Sequence, residues 1–336
     1  MPKLMKIAGK KKILVIRLSS LGDVILTTPV VRAIKEQYPE ASIDFVVKPE
    51  FGDAIKYNQN IDNIFYYSKK EEEIRSLLLS LNENKYDLVI DLQNNKRSKK
   101  ICKSLRTSVV KYKKSSVKRF MLVKFKINRL KNYLRVSEKY VTGIEDLQLD
   151  DKSPEIHFPK EFQEIKLPPG KKYIGICPGT KHITKMWPIE YFIELGKKLN
   201  ELGYTVLLFG GKDDIDLCKY VSIYVKDSIN LANNDELLKL ADGMRHCDLL
   251  ICNDSGMMHT ASALNKPLIA IFGSTVKEFG FEPYKCDSLL IENENLKCRP
   301  CSHIGKDACP KKHFKCMMEL TPELVINKVE RFLDRI

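Results

Sequence analysis

Long apolar runs are missing from this chain. No stretch approaches the ~18 consecutive apolar residues of a transmembrane helix. The amino-terminal MPKLMKIAGKKK lacks the apolar centre of a secretory signal, so export is not expected. No G-x-x-x-x-G-K-[ST] occurs, which excludes a P-loop NTPase, and no G-x-G-x-x-G follows the first strand-like run, which disfavours a dinucleotide oxidoreductase. Fixed-period repeats and low-complexity tracts are absent. Acidic residues are absent over one long interval, Leu92 to Ser137, which carries sixteen Lys and Arg. The net charge is +14, so the rest of the chain sums to −2: this is a local basic patch and not a basic protein. Such a patch suits phosphates of nucleic acid, anionic lipid or a phosphorylated glycolipid.

What is present is an alternating α/β pattern over 336 residues, long enough for about two domains. The stretch Lys12–Pro39 opens with an apolar strand over 13–18. Next comes the small-residue turn Ser19-Ser20-Leu21-Gly22-Asp23, and then an apolar helical pattern reaching Tyr38. Ligands of open α/β sheets sit where strand carboxyl ends meet helix amino termini. Gly22 permits close approach to the backbone, and Asp23 stands at the mouth of the crevice, as a catalytic base or as a plain helix cap. Further strands are expected over 42–47, 64–66 and 86–92, with helices over 48–57 and 71–83. The basic interval is interleaved with Phe120, Phe125, Ile127 and Leu134 and reads as an amphipathic interfacial helix or as a solvated face of the first half. Pro154, Pro159 and Pro168-Pro169-Gly170 punctuate a linker. The expected division is a first domain over 1–165, a second over 166–320 and a terminal helix over 321–336.

The second half presents strand tips at Pro178-Gly179-Thr180, Gly210-Gly211, Asn253-Asp254-Ser255-Gly256 and Gly273-Ser274-Thr275. Helices following such tips offer free N–H groups and a partial positive charge, a setting suited to a pyrophosphate. A helix is expected over 234–244. Lys185, just ahead of the helix that Pro188 opens, is badly placed for the helix dipole, so something should compensate it, and an anionic ligand would. His259 lies one turn into the Asn-Asp-Ser-Gly helix, where packing or capping is the commoner role. Six of the ten cysteines are scattered and read as small core residues or unpaired thiols. The other four, Cys298, Cys301, Cys309 and Cys316, read as a structural zinc site or as thiols.

The stretches GDVILTTPVVRAIKEQYP, TKMWPIEYF and NDSGMMHTASALNKPLIAIFGST, with the cysteine-rich tail, resemble glycosyltransferase family nine, the ADP-heptose:lipopolysaccharide heptosyltransferases. The resemblance runs from about Lys12 to the end. It implies a GT-B architecture: two Rossmann-like α/β domains facing a central cleft, acceptor on the first and nucleotide sugar on the second. It implies inverting heptosyl transfer from ADP-heptose to a lipopolysaccharide core or other phosphorylated glycolipid, with no catalytic metal. Asp23 matches the base of the family's Gly-Asp motif, preceded by Gly22. Lys185 matches the lysine that neutralises the departing diphosphate. Thr180 matches a phosphate-contacting position. Asp254, Ser255, Gly256 and His259 match the donor-binding motif, and Asp213 is the expected ribose partner. Leu26 stands where some members carry histidine, which bears on the acceptor. The implied setting is cytoplasmic and peripheral on the inner membrane, at an anionic surface. Competing readings are a related transferase using another nucleotide sugar and a non-enzymatic nucleic-acid-binding protein with a basic arm and a zinc tail. The interleaved aromatic motifs of RNA-binding modules are absent, and no nucleic-acid partner is expected.

Overall fold

In the computed structural model, which describes residues 5–234 and 236–335, the chain divides into two units. The first comprises residues up to Lys114 together with Leu134–Lys160. The second comprises Ser115–Tyr133 and the chain from Glu161 onward. The later boundary falls after Lys160. The placement of Ser115–Tyr133 in the second unit was not expected, and it moves six of the sixteen basic residues off the first half. The terminal helix belongs to the second unit.

The first unit holds strands β1 (Lys12–Ile16), β2 (Ser42–Val47), β3 (Asn63–Tyr66), β4 (Leu88–Asp91) and β5 (Ser108–Lys111). All pair in parallel, in the order β3-β2-β1-β4-β5. Ile13, Leu14, Val15 and Ile16 are fully buried, as an unbroken apolar run in a covered parallel sheet should be. Its helices are α1 (Leu21–Ile25), α2 (Thr28–Gln37), α3 (Glu71–Glu83), α4 (Lys96–Leu105) and, after the excursion into the second unit, α6 (Val136–Val141). The single helix expected after β1 is two. Pro29 opens α2, and the Thr27 and Thr28 hydroxyls donate to the carbonyls of Val24 and Ile25 at 2.6 and 2.9 Å, closing α1. The helix expected over 48–57 is a 3-10 turn, Pro49–Ala54.

The linker is bound down at its first part. Arg32 on α2 grips Asp150 through two bonds of 2.8 Å and Glu155 at 2.6 Å. Burial acts to raise the Glu155 carboxyl, but hydrogen bonds with His157 and Arg32 outweigh it and hold the group down at about 2.

The second unit holds β6 (Lys172–Cys177), β7 (Tyr204–Leu208), β8 (Ile229–Asn230), β9 (Leu249–Asn253), β10 (Leu268–Phe272) and β11 (Ser288–Glu292). They pair in parallel in the order β11-β10-β9-β6-β7-β8. Counted within the unit this is 3-2-1-4-5-6, the order of a dinucleotide-binding sheet, and the first unit has the same order one strand short. Helix α5 (Ser116–Phe125) lies in this unit. So do α7 (Ile189–Glu201), α8 (Ile215–Tyr224), α9 (Leu237–Arg245), α10 (Gly256–Ala263), α11 (Lys315–Met318) and α12 (Pro322–Leu333). Of the helix expected over 234–244, Asp235 lies outside the described residues, and Asn233 accepts the Glu236 N–H at 2.9 Å just before α9. Trp187 is fully buried, its indole N–H donating to the Leu320 carbonyl at 2.7 Å. This one bond anchors the start of α7 to the chain leading into α12.

Candidate functional site

Strand order reverses between β1 and β4 in the first unit and between β6 and β9 in the second, and at such points the loops diverge and leave a crevice. Each unit carries one of the sequence-derived site acids there.

In the first unit, Gly22 is buried in α1 and Asp23 is its next residue. Asp23 Oδ1 pairs with Arg17 at 2.6 Å. Its Oδ2 accepts from the Ser20 N–H at 3.2 Å and the Ser20 hydroxyl at 2.9 Å. The capping role weighed for Asp23 is therefore real, and it coexists with an ion pair that the sequence reading missed. Arg17 is itself immobilised. Its Nε donates to Ser19 O at 2.9 Å, its Nη1 to Leu92 O at 2.7 Å, and its guanidinium lies over the Tyr140 ring at 5.7 Å. Burial opposes the Arg17 charge, but Asp23 beside it more than offsets this, and the guanidinium is held above its ordinary value. Gln93 at the tip of β4 accepts the N–H groups of Leu18 and Ser19 at 2.8 and 3.1 Å, tying the two central strand tips together. Leu26 is buried, 1% exposed, and supplies packing.

In the second unit, Lys185 Nζ lies 2.8 Å from Asp254 Oδ2, which also accepts the Thr275 hydroxyl at 2.6 Å. The anion that Lys185 needs ahead of α7 is thus an internal one. Thr180 Oγ1 is 3.5 Å from the Asp254 carbonyl. Asn253 joins the tips by donating to Pro178 O at 2.7 Å and accepting the Trp187 N–H at 3.1 Å. Ser255 caps α10 with extended backbone and no side-chain bond to the first turn, leaving the amides at Gly256 and the next positions without intrahelical acceptors. His259, one turn on, is buried, 4% exposed. Asp213 is exposed on the 3-10 turn Lys212–Asp214. Its neighbour Asp214 accepts the Gly211 N–H at 3.1 Å and fills the space a Cβ at Gly179 would need, its Oδ1 only 1.9 Å from that point. The structure thus gathers Thr180, Lys185, Asp254, Ser255 and Gly256, adds Thr275, and leaves His259 beneath the surface and Asp213 exposed on the neighbouring turn.

Burial pushes the Cys316 thiol up to about 12, and Cys301, Cys309 and Cys298 lie near enough to add to it, so the four tail cysteines are neighbours in space. Among the described residues no group of three or more His, Cys, Asp or Glu side chains is placed to hold a metal ion. Cys298 Sγ approaches His313 Nε2 at 3.9 Å. A cavity of about 720 Å³ in this unit is lined by Glu282, Glu292, Glu294 and Glu319 against Lys277 and Lys328. Its acidic balance is wrong for a diphosphate, so geometry and charge favour the Lys185 tip instead.

The basic interval is divided between the two units. Lys96 to Lys114 lies on the first unit and Lys118 to Lys131 on the second. Leu122 and Leu130 pack on Phe279, while Val117, Phe120 and Phe125 are 73%, 60% and 59% exposed. Among the described residues no helix is long and apolar enough to cross a membrane.

Two parallel sheets of dinucleotide-binding order, one tip offering a carboxylate and the other a lysine beside a helix amino terminus, define the GT-B class of sugar-transferring proteins. The profile of glycosyltransferase family 9 (heptosyltransferase) matches residues 74–312, and the chain belongs to that family. The chain is 28% identical to the lipooligosaccharide heptosyltransferase 2 of Campylobacter jejuni over 93% of its length and 95% of that protein's. A family 9 glycosyltransferase of Veillonella parvula superposes with a TM-score of 0.76 at 25% identity, covering 97% of this chain and 98% of that one. The E. coli ADP-heptose lps heptosyltransferase II superposes with a TM-score of 0.74 at 21% identity, covering 96% and 99%. This chain is therefore a glycosyltransferase, and the non-enzymatic nucleic-acid reading is set aside.

Proposed function

We propose that this enzyme transfers heptose from ADP-heptose to a lipopolysaccharide inner-core acceptor with inversion at the anomeric carbon. Asp23 takes the proton of the acceptor hydroxyl as that oxygen attacks. The new C–O bond forms as the bond to the diphosphate breaks, and ADP leaves with the bonding pair. A positioned base of this kind contributes about 10²–10⁴-fold. The charge growing on the leaving diphosphate is met by Lys185, by the amides opening α10 and by Thr180. Asp254, Ser255, Gly256 and the buried His259 shape the donor side, Gly22 keeps the backbone before the base unencumbered, and exposed Asp213 is the ribose partner. The donor and acceptor follow the names of the family and of its relatives. The observation that carries the mechanism is the Lys185–Asp254–Thr275 triangle beside the start of α10.

The acceptor's phosphates and the anionic cytoplasmic membrane surface are the partners proposed for the basic residues, with the enzyme peripheral at that surface. The exposed Val117, Phe120 and Phe125 among lysines support this.

The test is transfer to purified acceptor cores of defined length, with ADP-heptose against other nucleotide sugars. Product from ADP-heptose alone, and a melting temperature raised by ADP, is the expected result. Turnover of a different nucleotide sugar in preference to ADP-heptose would replace the donor assignment.

A further inference from the structure

The cysteine-rich tail, which the proposed chemistry leaves idle, is laced into the donor-side tip. Arg299, between Cys298 and Pro300, is 9% exposed. Its guanidinium pairs with Glu292 at 2.7 Å, both side chains nearly buried. It donates to the carbonyls of Gly273 at 2.5 Å, Thr275 at 2.7 Å and Asn293 at 2.5 Å. Arg carries five N–H donors and no acceptor, so these bonds employ nearly all it has, and it acts through the backbone it holds. Two residues on, the Cys301 N–H donates to Ser274 O at 3.2 Å. Further along the same loop, Lys306 exchanges backbone bonds with Thr184: its N–H reaches Thr184 Oγ1 at 2.8 Å and its carbonyl accepts the Thr184 N–H at 3.0 Å. Ser274 Oγ closes the circuit on Thr184 Oγ1 at 3.0 Å. One loop therefore grips both the residue before Lys185 and the tip that carries Thr275.

From this we infer that Arg299 is a positioning residue for the donor's diphosphate: by fixing the Gly273–Thr275 backbone it aims the Thr275 hydroxyl at Asp254, and so sets how firmly Asp254 holds Lys185. Thr275 and Lys185 share a single carboxylate oxygen, Asp254 Oδ2. When the hydroxyl is withdrawn, more of that oxygen's charge falls on Lys185, and the ammonium is less available to a phosphate. The inference rests on the donor-site reading above and adds a residue and a route to it.

The test is a double-mutant cycle on ADP affinity in the full chain, with Arg299→Lys, Thr275→Val and the pair. Lys185→Ala serves as reference, and ligand-free melting confirms folding. Each single variant should weaken ADP binding about tenfold, the scale of one lost hydrogen bond to a charged group. The pair should also lose about tenfold, where independent effects would multiply to about a hundredfold. Donor KM should rise in all three with acceptor KM unchanged, a split that general loosening of the fold would not produce. Multiplicative losses, or wild-type affinity in Arg299→Lys, overturn the inference and leave the donor site standing. Wild-type protein that ignores ADP, or Lys185→Ala binding it undiminished, overturns the donor site and the inference together. Should Arg299→Lys lack a cooperative melt, Glu292→Gln replaces it in the same cycle with the same expectation.

Discussion

The two strand-order reversals of this molecule carry the same pair of charges in opposite dress. In the first unit the cation is the inner member: the Arg17 side chain is 8% exposed and Asp23 17%. In the second the acid is the inner member: Asp254 is 8% exposed and Lys185 13%. Arg17 is pinned by two carbonyls and a ring, so the outward partner is a carboxylate. Asp254 is pinned by Thr275, so the outward partner is an ammonium. One sheet order thus presents a base in one unit and a counter-ion for phosphate in the other. The difference lies in which side chain the backbone has already claimed.

The largest break in this comparison is expected at Asp23. Asp23→Ala should reduce transfer by about 10³-fold, within the usual range for a lost general base, while ADP binding by calorimetry stays as in the wild type. A variant that retains full turnover would remove Asp23 from the mechanism. Next comes Lys185→Ala, which should lower kcat by about 10²–10³-fold and weaken ADP as well, because its charge serves the bound and the departing diphosphate alike. A change in acceptor KM alone would instead put Lys185 on the acceptor side.

A smaller effect sharpens the contrast by probing the frame under α2. Glu155 has an ordinary value of 4.5 and is held at about 2 in the fold, so its stabilising contribution is complete above about 4.5 and is lost as pH falls toward about 2. Glu155→Gln should cost on the order of 2 kcal/mol at neutral pH, discounted for partial exposure, and the deficit should shrink as the pH is lowered through that window. A deficit that is flat with pH in chemical denaturation would mean that the ion pairs with Arg32 and His157 are not its source. The smallest change in stability, within about 0.5 kcal/mol each, is expected for Val117→Ser, Phe120→Ser and Phe125→Ser, because these side chains are mostly exposed. Together they should abolish co-sedimentation with vesicles containing phosphatidylglycerol. Undiminished binding to those vesicles would move the membrane contact to the basic residues of the first unit.

The covered strands were legible because parallel strands buried on both faces are written as apolar runs, as at Ile13–Ile16 and Leu268–Phe272. The strands that escaped notice, β5, β8 and β11, are all edge strands. Ser108–Lys111 sits in the basic interval, Ile229–Asn230 has two residues, and Ser288–Glu292 is only partly covered, so none shows such a run. The site was legible in its tips. Asp23, Lys185 and Asp254 announce themselves as charges beside small residues at strand ends. Arg17, Asp214 and Arg299 did not, because each matters through a partner that local pattern does not name.

The linear order of residues by itself determined the alternation of strand and helix, the small polar tips, and the Gly-Asp and Asn-Asp-Ser-Gly turns. All of these follow from local periodicity and turn chemistry. The tertiary structure alone decided that Ser115–Tyr133 joins the second unit, that Asp254 rather than a ligand first answers Lys185, and that Arg299 among the tail cysteines holds the Gly273–Thr275 backbone. Those outcomes depend on which distant segments strand order and packing bring together, and a charge or a thiol has no fixed partner until the fold brings one within reach.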